Sequence, residues 1–361
     1  MGDLLVSKPI IIDSHKGSYE VNLQNGPISN LFKSPDQEAV YIIDERIYKL
    51  YEAEIKPVID YGRFILIDAN ERNKSLEKFP DYISSLMGQQ MTRDQTLISI
   101  GGGIVQDITC FIASTLMRGV SWKFIPTTLL AQSDSCIGSK SSINSGDIKN
   151  ILGTFNPPKE ILLNVHFLET LAADDILSGV GEMIKVHAID SPESFDRISS
   201  KYEELLREPN LMREFIFQSL LIKKKIIEID EFDMKERNVM NYGHSFGHAI
   251  ESATSFSIPH GIAVTIGMDM ANFVSMKLQN TTEDNFLRMH DVLMKNSIVA
   301  RKTFIDSDRL IEALYKDKKN TKTKLRLILP DMKGRIKIGL YEKSPELSDH
   351  IREYLNLYHQ I

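Results

Sequence analysis

Three histidines fall within a short stretch of the chain. His244 and His248 lie in Asn241-Tyr242-Gly243-His244-Ser245-Phe246-Gly247-His248, and His260 follows in Pro259-His260-Gly261. The whole sequence has only nine histidines, so three together, flanked by glycines, weaken the alternative of unrelated side chains satisfied by backbone or water. His244 and His248 are four residues apart and share one face of a helix. Glu182, in Gly181-Glu182-Met183-Ile184-Lys185, falls on another predicted helix. Two imidazoles and a carboxylate suit an open divalent-metal site that leaves a position for substrate oxygens. Spacing alone does not choose which two of the three histidines bind.

A second chemical signal is Ile100-Gly101-Gly102-Gly103-Ile104-Val105-Gln106-Asp107, an apolar run ending in glycines before a helical pattern. Glycine lets backbone approach a pyrophosphate, and a helix N-terminus offers free N–H groups to anions. Asp44, ending an earlier apolar run, is placed to accept hydrogen bonds from a ribose. A tight turn without ligand would use the same glycines, so the motif by itself leaves both readings open. A third signal is cationic: Lys140, Lys149, Lys185, Arg237 and the run Lys223-Lys224-Lys225. Lys224 and Lys225 read as a solvated face. Lys140 and Lys149 lie in a Ser/Gly/Asn-rich stretch, read as a loop of the kind that clamps phosphate or carboxylate.

The elements that must position these residues change character along the chain. Runs at 9–13, 39–44, 64–68, 96–100 and 120–125 are short and rich in β-branched residues. Separated by helical stretches, they predict an α/β nucleotide-binding unit, Rossmann-like, with a mainly parallel sheet covered on both faces. Helical periodicity takes over at 174–189, 192–207, 211–229 and 261–278, with Asn210 as an expected N-cap. Segments 325–329 and 335–339 alternate like a hairpin, and Ser344 opens a terminal helix. The expected division is an α/β domain over 1–172 and a mainly helical metal- and substrate-binding domain over 173–361.

Composition narrows the function classes. A net charge of −6 argues against nucleic acid, whose phosphates demand a basic footprint. Cys110 and Cys136 are the only two cysteines, too few for a disulfide framework or a thiolate zinc site. Neither a signal-peptide pattern at Met1–Lys8 nor a membrane-spanning apolar run is evident, and a cytoplasmic protein without a membrane partner is expected.

Together these segments resemble 3-dehydroquinate synthases and related sugar-phosphate cyclases, from about Asp44 to Leu329. The resemblance implies a cofactor NAD held by Asp44, Glu71, Lys74, Gly102, Gly103, Ile104, Val105, Asp107, Thr127, Thr128, Lys140, Lys149 and Thr170. It implies a divalent metal on Glu182, His244 and His260: zinc, with Co2+ able to occupy the same set. It implies a substrate site of Asp134, Lys140, Asn150, Lys185, Lys223, Arg237, Asn241, His248 and Lys318, with His248 catalytic rather than metal-bound. Arg118, in Leu116-Met117-Arg118-Gly119, resembles an arginine that reaches the neighbouring subunit's active site, so a homodimer is expected.

The activity this implies is conversion of the sugar phosphate 3-deoxy-D-arabino-heptulosonate 7-phosphate to 3-dehydroquinate and inorganic phosphate. Gln106, Cys110 and Ser139 stand where the family's common pattern has glycine, and Ile262 where glutamate follows the His-Gly pair. Those departures keep open a related cyclase acting on sedoheptulose 7-phosphate or glucose 6-phosphate, although Arg237 and Asn241 favour the dehydroquinate-forming activity. A glycerol-dehydrogenase-type oxidoreductase is a further alternative, disfavoured because a small polyol needs no anion clamp. A catalytically dead paralogue is disfavoured because all the candidate ligands are present.

Overall fold

The computed structural model describes residues 8–146, 148–316 and 320–359, and Lys318 lies outside them. The chain divides into two compact units. The first comprises residues up to Leu171 together with Ile216–Phe232; the second comprises Ala172–Phe215 and the chain from Asp233.

The first unit is built on a seven-stranded sheet. Its strands are β1 (Ile10–Ile12), β2 (Tyr19–Leu23), β3 (Ala39–Asp44), β4 (Phe64–Ile67), β5 (Thr96–Gly101), β6 (Ser121–Pro126) and, beyond a hairpin, β9 (Glu160–Leu163), in the order β1-β2-β9-β6-β5-β3-β4. Only the β1–β2 pair is antiparallel. Successive side chains of β3 point to opposite faces, yet Val40, Tyr41, Ile42 and Ile43 are all buried. Both faces are therefore covered, as the β-branched runs predict. On one face Tyr41, Ile43, Ile98, Ile100 and Ile125 join Phe32, Tyr51 and Phe167 in a single apolar cluster.

The hairpin, β7 (Lys140–Ser145) and β8 (Ile148–Phe155), corrects the sequence reading of a loop around Lys140 and Lys149. Its register runs from Lys140 opposite Phe155 to Ser145 opposite Ile148, with an irregularity between Ile143 and Ser145. Serine-rich strands lack the apolar alternation that reveals a strand, and here pairing itself enforces the extended backbone.

In the second unit the helix His260–Lys277 is central, with residues 261–275 buried without a break. A helix that is mostly apolar all round is buried, and the polar side chains this one buries find partners, as Ser275 does by donating to the Pro330 carbonyl at 2.7 Å. The helix packs against the helices Ala173–Asp190, His244–Ala253, Glu283–Asn296 and Pro345–Tyr354. A two-stranded sheet, β10 (Lys324–Pro330) with β11 (Ile336–Glu342), supplies the expected late hairpin. Ser344 caps the Pro345–Tyr354 helix by accepting from Leu347 N at 3.1 Å.

Two further expectations need correction. Asn210 is not an N-cap, because the helix already includes Pro209, whose fixed φ suits a first turn. A single cut after residue 172 does not provide for Ile216–Phe232, which takes in the C-terminal part of the Pro209–Ile229 helix and the residues just after it and belongs to the first unit. No helix among the described residues is long and apolar enough to cross a membrane.

Candidate functional site

In the first unit, β5 ends at Gly101 and the next helix, Gly103–Thr115, starts after Gly102. Packing explains two of the three glycines. A side chain at Gly101 would meet Val105 Cγ2 at 2.7 Å, and one at Gly102 would meet Thr128 Cγ2 at 2.8 Å. Gly103 is different: its nearest neighbour would be Ser135 Oγ at 3.8 Å, an ordinary contact. Space is left at the helix N-terminus, where an anion would be favoured. Val105 is fully buried beneath the turn, and Ile104 is partly buried.

Around this turn several predicted cofactor residues already touch. Lys74, 6% exposed, has its Nζ 3.2 Å from Asp107 Oδ2, 2.9 Å from Asn150 Oδ1 and 3.5 Å from Glu71 Oε1. Asp107 also accepts from the backbone N–H and hydroxyl of Ser142, each at 3.0 Å. Burial raises the Asp107 pKa, against the opposing pull of Lys74 and Ser142. Glu71 accepts from Asn144 Nδ2 at 2.9 Å. Asp44 caps the helix that follows β3, accepting from Arg46 N at 2.8 Å. Burial raises the Asp44 pKa, and that hydrogen bond offsets it in part. Thr127 N donates to Gly101 O at 2.9 Å, while Thr170 and Tyr51 share a 2.8 Å hydrogen bond. Lys140 and Lys149 are exposed on opposite strands of the hairpin.

The same unit joins two predicted substrate-site residues. Lys223, on the helix segment that belongs to this unit, lies 2.5 Å from Asp134 Oδ1 and 2.6 Å from its carbonyl oxygen. Arg118 stands apart. It is exposed, in the left-handed region with φ of +66° beside Met117 at +51°, and makes no hydrogen bond or ion pair to a described residue.

In the second unit, close helix crossings bring the predicted metal residues together. A side chain on Gly261 would collide with the carbonyl oxygen of Ser178, and one on Gly181 with the carbonyl oxygen of Gly261. The helices Ala173–Asp190 and His260–Lys277 therefore meet backbone to backbone next to Glu182 and His260. Gly267 plays the same part against Gly243 and Gly247, on either side of His244.

The result is a convergent set. Glu182 Oε1 is 3.7 Å from His244 Nε2 and 3.5 Å from His260 Nε2. Its other oxygen, Oε2, accepts from buried Lys185. His244 Nδ1 lies 3.2 Å from the carbonyl oxygen of Tyr242, and His260 Nδ1 lies 3.2 Å from Glu251 Oε1. Each Nδ1 faces an acceptor and so carries its proton, which turns both Nε2 lone pairs toward the Glu182 carboxylate. Three electron-rich atoms facing one another are the chemistry of a cation site. Ligands on one tetrahedral cation with bonds of about 2.0–2.1 Å are about 3.4 Å apart, close to the spacing found.

The three imidazoles form a second grouping, with nitrogens lying within 4.8 Å of one another. The carboxylate set is tighter, brings a charge to a divalent ion and leaves His248, which is exposed, open to a substrate. Burial, then the charge of Lys185 and the neighbouring imidazoles, holds the His244 pKa well below the usual range. Burial also pulls on His260, but its hydrogen bond to Glu251 and the charge of Glu182 outweigh it and raise its pKa. Arg237 is buried in the turn Glu236–Asn241, where Asn241 donates to Asn238 O at 3.1 Å.

Sequence reasoning missed Glu251. Its signal was present, since 244, 248 and 251 fall on one helical face, but its use depends on the ring orientation of a histidine on the next helix.

Residues 64–178 match the family described as 3-dehydroquinate synthase N-terminal, and residues 179–320 match 3-dehydroquinate synthase C-terminal. A 3-dehydroquinate synthase from Dehalococcoides mccartyi is 34% identical over 300 residues, covering 82% of this chain and 84% of the relative. One from Acetivibrio thermocellus is 35% identical over 297 residues, covering 81% and 82%. The fold is similar to that of 2-deoxy-scyllo-inosose synthase complexed with carbaglucose-6-phosphate, NAD+ and Co2+. That match has a TM-score of 0.85 at 19% identity and covers 96% of this chain and 100% of the other. It is also similar to 2-epi-5-epi-valiolone synthase from Streptomyces hygroscopicus with NAD+ and Zn2+ bound, with a TM-score of 0.82 at 24% identity, covering 94% and 97%. At such identities the likeness is one of fold.

Proposed function

Because the chain belongs to the 3-dehydroquinate synthase family, we propose that it converts 3-deoxy-D-arabino-heptulosonate 7-phosphate to 3-dehydroquinate and inorganic phosphate, using bound NAD and one divalent cation. The observation that carries this reading is the convergence of His244 Nε2 and His260 Nε2 on Glu182 Oε1. Glu182, His244 and His260 hold the cation, zinc or cobalt. Asp44, Glu71, Lys74, the turn Gly102 to Val105, Asp107, Thr127, Thr128, Lys140, Lys149 and Thr170 hold NAD. When bound, the cation supplies Lewis-acid stabilisation of oxygen charge, and NAD supplies reversible hydride chemistry.

The protein's own residues supply positioning and charge. Lys185 stays against Glu182 and neutralises the carboxylate oxygen that does not face the histidines. Lys140, Asn150, Arg237 and Asn241 clamp the phosphate and carboxylate of the substrate. A charge-assisted hydrogen bond contributes roughly 1.5–3 kcal/mol, so several must act together on a dianion. His248, exposed beside the two metal-site imidazoles, moves a proton to or from the substrate. Lys223 holds Asp134 in place. Arg118 serves the site of the partner in a homodimer. Lys318, outside the described residues, is assigned a further cation role.

A related cyclase is the second reading, favoured by Ile262, which is fully buried where the family's pattern has glutamate. Phosphate release measured with all three candidate sugar phosphates decides between them. The proposed activity predicts release from the heptulosonate phosphate, loss with EDTA, recovery with Zn2+ or Co2+, and no accumulation of NADH. Release from only sedoheptulose 7-phosphate or glucose 6-phosphate would establish the related cyclase. Turnover undiminished after complete metal removal would overturn the cation assignment.

A further inference from the structure

His260 is the most exposed of the three candidate cation ligands, with 38% of its side chain accessible against 14% for His244 and 3% for Glu182. It is also the first residue of its helix, so it has no preceding helical turn of its own to pack on. A ring in that position can turn, and turning it would exchange the nitrogen that faces Glu182. The contact that opposes this is the 3.2 Å hydrogen bond from His260 Nδ1 to Glu251 Oε1. Glu251 is itself 14% exposed on its side chain and sits in the His244–Ala253 helix. One helix therefore carries both a candidate ligand and the group that orients the other histidine. The residue two beyond His260 is Ile262, fully buried and apolar, so it offers no carboxylate in place of Glu251.

Histidines that bind metals commonly donate their second N–H to a carboxylate or carbonyl, which fixes the tautomer and makes the ligating nitrogen more basic. Here the two histidines use different acceptors, since the His244 partner is the neutral carbonyl of Tyr242. Glu251 adds a negative charge that the Tyr242 carbonyl does not. Resting on the cation reading above, we propose that Glu251 is a positioning residue: it holds His260 with Nε2 turned to Glu182 and so sets the affinity of the Glu182–His244–His260 set for a divalent cation.

The test uses the full chain, stripped of metal and titrated with Co2+ alone, following the visible absorption bands of the bound ion. Glu251→Gln keeps an oxygen that can accept from Nδ1–H but removes the charge; Glu251→Ala removes both. Co2+ affinity is expected to fall in the order wild type, Glu251→Gln, Glu251→Ala, with a total loss of roughly 10- to 100-fold. The Ala variant is also expected to show altered absorption bands as the ring loses its orientation. His260→Ala is the control for the reading beneath the proposal. If His260→Ala binds Co2+ like wild type, the cation assignment falls. If it loses Co2+ while both Glu251 variants bind with wild-type affinity and spectrum, the Glu251 proposal alone falls. Thermal melting of the metal-free proteins identifies a folding defect, and should Glu251→Ala melt early, the near-isosteric Gln variant decides.

Discussion

Lys223 reaches across 89 residues of sequence to touch Asp134 twice, at its carboxylate and at its carbonyl oxygen. With side chains only 8% and 12% exposed, neither charge has much water to fall back on. Removing one partner of a buried pair takes away much of what compensates the other charge, at a cost of up to about 3–5 kcal/mol. Lys223→Met is therefore expected to lower stability to urea by up to that amount. Lys223→Met combined with Asp134→Asn should lose less than the two single changes added together.

Gly261→Ala places a methyl group against the Ser178 carbonyl oxygen. Backbone cannot yield as a flexible side chain can, and overpacking of this kind costs about 1–3 kcal/mol. The two helices must part where Glu182 and His260 face each other. A lower melting temperature and weaker Co2+ binding should appear together in this variant.

Asp269 is buried in the central helix of the second unit. It accepts from Tyr354 at 2.7 Å and lies 2.9 Å from His290 Nδ1. Burial pulls the His290 pKa down, but the hydrogen bond and charge of Asp269 prevail and raise it. A raised histidine pKa stabilises the fold fully below the unfolded value of about 6.5. That contribution fades as pH rises through the folded value. His290→Asn should thus destabilise more at pH 6 than at pH 9 in urea denaturation. Tyr354→Phe should cost about 1.5–3 kcal/mol by removing a donor to a charged acceptor.

His187 shows the opposite sign. Burial, then the charge of Arg197, lowers its pKa from 6.5 to about 4, with Nδ1 2.8 Å from Ser194 Oγ and the ring edge-on to Phe215. The unfolded chain takes up the proton first, so the fold loses stability as pH drops from 6.5 toward 4. The displacement corresponds to about 3 kcal/mol. His187→Gln should flatten that part of the stability curve, measured by urea denaturation from pH 7 to pH 4.

Element type was legible wherever apolar residues run together, as in Ala39–Asp44, because burial on both faces of a parallel sheet needs such runs. It was not legible in Lys140–Ser145, whose serines become a strand through pairing with β8 and through the hold of Asp107 on Ser142. The three histidines stood out because they are near one another in sequence. Neither the crossing at Gly181 and Gly261 that delivers Glu182 to them, nor the Lys223–Asp134 pair, follows from local pattern, since both arise from packing between distant segments. Glu251 had the right periodicity, but its use requires the ring of His260 to be seen in place.

Arg118 sits in a left-handed turn, exposed and without a hydrogen bond or ion pair to any described residue. If its guanidinium serves the partner's site, as proposed, then in a pair made of one Arg118→Ala chain and one His260→Ala chain both defects fall on the same centre. Two dead proteins, Arg118→Ala and His260→Ala, unfolded together and refolded as a mixture, would then regain part of the activity that neither has alone. One centre in each mixed pair would receive every group it needs.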